Sequence, residues 1–110
     1  QWPLAYPDTI ELVVSNNDDM ALGAIDALER EGIDDINVIG IDGTIPGMEA
    51  LENGRLLGTV SANKEVYAGA IMELAASRAL DEPLPDEYPL EDGTYYWVLQ
   101  QILNGEAKKD

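Results

Sequence analysis

Three polar clusters along the chain carry side chains able to bind or react: Asn17, Asp18 and Asp19; Asp42 with Thr44; and Asn63 with Lys64. An ionised aspartate accepts two hydrogen bonds in one plane and an asparagine amide both donates and accepts. Asn17 and Asp42 together would therefore grip the vicinal hydroxyls of a neutral polyol. The carboxylates of Asp18, Asp19 and Asp42, with Lys64, also outline a second chemistry, an oxygen-ligated magnesium site for phosphoryl transfer. Against it, Asn16 and Asn17 separate the acidic pair from the preceding strand. A phosphatase motif at Ile41-Asp42-Gly43-Thr44 fails because Gly40 stands in the nucleophile position. Each residue also has a plainer role, Asn17 as a helix cap and Asp42 as an Asx turn leading into Gly43.

Composition narrows the chemistry further. The 110 residues include 22 acids, 6 bases, no histidine and no cysteine, for a formal charge of -16. So negative a surface repels phosphate backbones and anionic headgroups, which argues against nucleic-acid and membrane-surface partners. Without histidine or cysteine there is no imidazole or thiolate zinc site, no Ser-His-Asp triad and no cysteine nucleophile. No apolar run approaches the roughly 20 residues of a membrane span, and the start lacks the basic and apolar regions of a signal peptide.

The elements that must position these clusters alternate. Ile10 to Val14 reads as a strand buried on both faces. A helix follows to about Glu31, with Ala21, Ala24, Ile25 and Leu28 on one face and Gly32 ending it. Ile36 to Ile41 is a second buried strand. The loop Asp42 to Gly47 leads into a short helix that has Pro46 in its first turn and stops near Gly54. Leu56 to Val60 is a third strand, and Asn63 caps a long helix on which Tyr67, Ala70, Ile71, Leu74 and Arg78 share a face. Three prolines between Asp81 and Pro89 predict an extended surface connection. After the Asp92-Gly93 turn, Tyr95 to Leu99 forms a last strand, and from Asn104 the chain is polar and frayed. The aromatics, Trp2, Tyr6, Tyr67 and Trp97 among them, read as packing residues. Alternation with short loops predicts an α/β fold of three layers, a mainly parallel sheet with flanking helices. In such sheets ligands bind beyond the carboxyl ends of the strands, where Ser15 to Asp19, Asp42 to Gly47 and Ser61 to Lys64 lie.

Asn17-Asp18-Asp19-Met20-Ala21-Leu22-Gly23-Ala24 resembles the Asn-Asp-x-Met-Ala-x-Gly-Ala run of the periplasmic sugar-binding proteins of ABC transporters, the galactose/glucose- and ribose-binding family. Val38-Ile39-Gly40-Ile41-Asp42-Gly43-Thr44 is similar to their Val-Val-Gly-Phe-Asp-Gly-Thr strand and loop, and Leu57-Gly58-Thr59-Val60 to their last ligand-loop strand. The resemblance implies a non-catalytic protein of the periplasm or cell surface, as a lipoprotein in some cases. It would bind a galactose- or glucose-like monosaccharide and deliver it to an ABC permease. It further implies that Asn17 and Asp42 bind sugar hydroxyls with Asp18 supporting them. Where the family has Asn or Gln after the Thr-Val strand this chain has Ala62, with Asn63 beside it as the replacement contact. Glu11 matches the residue that completes a calcium site in galactose/glucose-type members. Its other ligands would come from an upstream loop not in this sequence, so no cofactor is required here and calcium belongs to a full-length parent.

By the same resemblance, residues 1–110 form a single domain, the carboxyl-terminal portion of a two-lobed protein. The helix around Tyr67 to Leu80 then exposes its apolar face, which favours a homodimer or a domain swap. Two alternatives remain: the effector domain of a Lac-repressor-like regulator, which shares the Asn-Asp-x-Met-Ala run, and a magnesium-dependent receiver-like phosphoacceptor domain.

Overall fold

Capping and periodicity place each helix between two strands. The computed structural model describes residues 5–6, 9–94 and 96–106. Strands β1 (Leu12–Val14), β2 (Asn37–Ile41), β3 (Gly58–Ala62) and β4 (Gln100–Asn104) alternate with helices α1 (Asp18–Arg30), α2 (Ile45–Glu52) and α3 (Lys64–Leu80), the last of which precedes β4. The sheet order is β1-β2-β3-β4, and the pairs β1–β2 and β2–β3 are parallel. The fold is α/β, a mainly parallel sheet flanked by helices. The chain forms two compact units, one running to Ser61 and resuming at Ile102, the other Ala62–Gln101.

In the first unit α1 packs on β1, on β2 and against α2. Ala21, Ile25 and Leu28 on its inner face meet Ile36, Val38, Ala50 and Leu56, with Ile10, Val13, Leu22 and Ile33 at the margin. Asn17 and Asn63 cap α1 and α3, and Pro46 occupies the first turn of α2. Gly32 and Gly54 follow their helices with φ of 71° each, the left-handed exit that glycine takes without steric cost.

Several boundaries and faces differ from expectation. Strand β1 lies at the edge of the sheet, so Leu12 and Val14 are 46% and 68% exposed rather than buried on both faces. Strand β3 begins at Gly58 because the amides of Arg55 and Leu56 still bond Ala50 at the end of α2. It runs on to Ala62, which shortens the loop before α3 to Asn63. Strand β4 forms later than Tyr95–Leu99: the Gly105 amide donates to the Leu57 carbonyl at 2.6 Å and sets its place beside β3. Tyr95 itself lies outside the described residues, as does Trp2, and Tyr6 is exposed.

In the second unit α3 buries Ala70 and Ser77, while Tyr67 and Ile71 stay half exposed, so the expected core role of Tyr67 does not hold. Residues 83–85 carry no regular structure, as their prolines require. The Asp92-Gly93 turn has φ of 50° and 66° at its two residues and closes with the Thr94 amide on the Glu91 carbonyl. Tyr88 packs edge-on to Tyr96, ring centroids 5.5 Å apart.

Candidate functional site

Beyond Val14 the Ser15 amide still donates to the Ile39 carbonyl, and the chain leaves the sheet only after it. Asn17 is extended at φ -152°, and its Oδ1 accepts the Met20 amide at 2.8 Å, which starts α1. The cap uses only the oxygen. Asn17 is half-buried, and its amide nitrogen donates to no group among the described residues.

Strand β2 ends alongside. The Asp42 amide donates to the Val60 carbonyl at 2.8 Å, extending the β2–β3 ladder by one residue. Asp42 then takes a φ of 113°, a conformation that L side chains rarely adopt and that costs of order 1 kcal/mol or more. Its carboxylate is exposed and makes no hydrogen bond or ion pair among the described residues. Gly43 follows at φ 62°, where a Cβ would fall 2.6 Å from that of Ser61, so only glycine fits the bend.

Asp18, next in the chain after Asn17, is fully buried. Its Oδ2 accepts the Thr44 amide at 2.7 Å and the Thr44 hydroxyl at 3.2 Å, and its Oδ1 accepts the Thr59 hydroxyl at 2.7 Å. A Cβ on Gly40 or Gly47 would collide with this carboxylate, which explains both glycines. Burial of an anion is costly unless its hydrogen bonds are met. Here three donors meet it. Asp18 is also the first residue of α1 and bonds Thr44, the N-cap of α2, so the positive ends of two helix dipoles face it.

The sequence marks Asp18 only as a supporting residue and gives no link from it to Thr44 or Thr59. The only signal was the pair of glycines at 40 and 47, whose reason emerges once a buried side chain is seen to lie against them. Asn63 belongs to the other unit, where its Oδ1 accepts the Val66 amide at 3.2 Å as the cap of α3. Glu11 is exposed immediately before β1. Among the described residues no group of three or more His, Cys, Asp or Glu side chains could hold a metal ion. Of the carboxylates in the magnesium reading, Asp18 is buried with both oxygens accepting hydrogen bonds inside the protein, while Asp19 and Asp42 are exposed. No helix among the described residues is long and apolar enough to cross a membrane.

The Periplasmic binding protein domain family matches residues 3–82. The ribose import binding protein RbsB of Salmonella typhimurium is 34% identical over 87 residues, 79% of this chain and 29% of that protein. The xylitol-binding protein of Mycolicibacterium smegmatis is 36% identical over 74 residues, 67% of this chain and 21% of that one. Among solved structures, an ABC transporter periplasmic solute binding protein from Actinobacillus succinogenes with bound D-allose aligns at a TM-score of 0.75 and 26% identity. That alignment covers 93% of this chain and 33% of the other. The chain thus spans 29% of the length of the first of these relatives.

Proposed function

The chain belongs to the Periplasmic binding protein domain family, and from that premise we propose that the protein carrying it binds a monosaccharide or sugar alcohol without transforming it. Asn17 and Asp42 form one wall of the pocket. The observation that supports this most directly is the pairing of an unspent amide donor with an unspent, exposed carboxylate at the tips of adjacent parallel strands. An anion that accepts two hydroxyl protons, beside an amide that donates, suits a ring of alternating hydroxyl donors and acceptors. The strained backbone of Asp42 points the same way, since such strain concentrates at ligand clamps.

The relatives carry the names of ribose and xylitol, and one neighbouring structure holds D-allose. Pentoses, hexoses and their alcohols are therefore the candidate class, galactose and glucose included. Delivery to an ABC permease from the periplasm or the outer face of the cell membrane completes the proposal. Titration calorimetry of the protein with D-ribose, D-allose, D-galactose, D-glucose and xylitol tests it. Heat of binding with at least one, reduced more than tenfold by Asp42→Ala, is the expected result. Silence with all five, or an unchanged affinity in the variant, would remove the proposal.

A further inference from the structure

Thr59 is fully buried on β3, in a sequence position that composition and periodicity describe only as part of a strand. Its hydroxyl donates to Asp18 Oδ1 at 2.7 Å and accepts the Gly43 amide at 3.2 Å. The next amide along, that of Thr44, goes to Asp18 Oδ2 at 2.7 Å. The two peptide N–H groups that follow Asp42 are thus both held by the Asp18–Thr59 pair, and the Asp42 amide itself is held by the Val60 carbonyl. A non-glycine residue stays at φ 113° only when its surroundings determine it more strongly than its own preference. Here those surroundings are three consecutive amides, each with a named acceptor.

We propose that Thr59, acting with Asp18, is a positioning residue that holds Asp42 in the backbone conformation from which its carboxylate meets a hydroxylated ligand. The inference rests on the sugar-binding reading of Asp42. Being buried, Thr59 cannot touch the ligand, so any effect it has on affinity passes through the loop. Valine preserves the size and branching of threonine but removes the donor to Asp18 and the acceptor for Gly43. Serine preserves both.

The test combines a loop readout with a binding cycle in the full-length protein. Without ligand, Thr59→Val should speed amide hydrogen exchange at Gly43 and Thr44 by about tenfold or more while leaving the amides of Ile25 and Leu28 unchanged, and Thr59→Ser should restore it. With the tightest-binding sugar of the five above, Thr59→Val should weaken affinity about five- to tenfold. That loss should vanish in an Asp42→Ala background, since a residue that acts only through Asp42 has nothing left to position. If Asp42→Ala leaves affinity intact, the sugar-binding reading itself fails. If Asp42→Ala weakens binding but Thr59→Val does not, or does so equally in both backgrounds, the positioning role of Thr59 is overturned. Unchanged exchange at Gly43 and Thr44 overturns it whatever the sugar does.

Discussion

The Thr59 hydroxyl meets the Asp18 carboxylate at 2.7 Å across 41 positions of sequence, and neither residue has any exposed surface. This one bond ties the start of α1 to β3, and through Thr44 the same carboxylate reaches the start of α2. The loops that carry Asn17 and Asp42 are therefore set by a common anchor rather than independently.

Removal of the charge at that anchor should be costly. In Asp18→Asn, an amide nitrogen would replace one of the accepting oxygens and face either the Thr44 amide or the Thr59 hydroxyl as a second donor. A loss of about 2–3 kcal/mol is expected by urea denaturation, the cost of unsatisfied buried groups. Asp19→Asn, one residue on and exposed, should stay within about 0.5 kcal/mol of the parent.

The glycines of this region should divide sharply under alanine substitution. At Gly40 and Gly47 the added methyl would collide with Asp18, so both variants should lose about 2 kcal/mol or more. Gly23, inside α1, has nothing within 4 Å of the same Cβ. Gly23→Ala should instead stabilise by up to about 1 kcal/mol through helix propensity. Thermal melts of the three variants check the contrast.

Asp42→Gly separates stability from function. Glycine adopts positive φ without strain, so the variant should gain about 1 kcal/mol in stability. It also lacks the carboxylate, and sugar affinity should fall more than tenfold. A variant both less stable and unable to bind would contradict the strain assigned to this position.

Arg55 joins Glu29 and Asp26 on the outer side of α1, with nitrogen–oxygen distances of 2.8 Å to each. The hydrogen bonds its guanidinium donates, first to Glu29 and then to Asp26, hold its pKa above an already high ordinary value, so it stays charged. All three side chains are at least 39% exposed, and exposed ion pairs are worth about 0.2–1 kcal/mol. Arg55→Ala should cost no more than that, and the difference should shrink in 1 M salt.

Tyr88, half-buried beside Gly69 and Tyr96, has its phenol pKa raised by desolvation first and then by the charges of Glu87 and Glu73. A raised folded-state value contributes stability that is present below the unfolded tyrosine pKa, about 10. That contribution is lost as pH climbs through the higher folded one. Ultraviolet titration should show a late-ionising component, and Tyr88→Phe should delete it.

Local chemistry was legible from the residues alone. Asn17 and Asn63 announce helix starts because a short amide side chain satisfies amides three residues ahead. Gly32, Gly54 and the Asp92-Gly93 turn announce chain reversals through the φ values they tolerate. Spacing likewise placed Ala21, Ile25 and Leu28 on one buried face, and strand alternation placed Asn17 and Asp42 at neighbouring tips of a parallel sheet. Each of these signals works within one helical turn or one strand.

Contacts between distant segments obey no such period, and tertiary structure alone supplied them. An apolar run cannot reveal that its strand lies at an edge, so Leu12 and Val14 are exposed where composition suggests burial. The aromatic stretch before β4 has strand character, yet the anchor between Gly105 and Leu57 sets the strand further along. The Asp18 carboxylate finds its donors 26 and 41 residues away, and nothing in the neighbouring residues names Thr44 or Thr59 as its partners. Burial forces that choice, since an anion removed from water persists only where the whole fold brings donors to it.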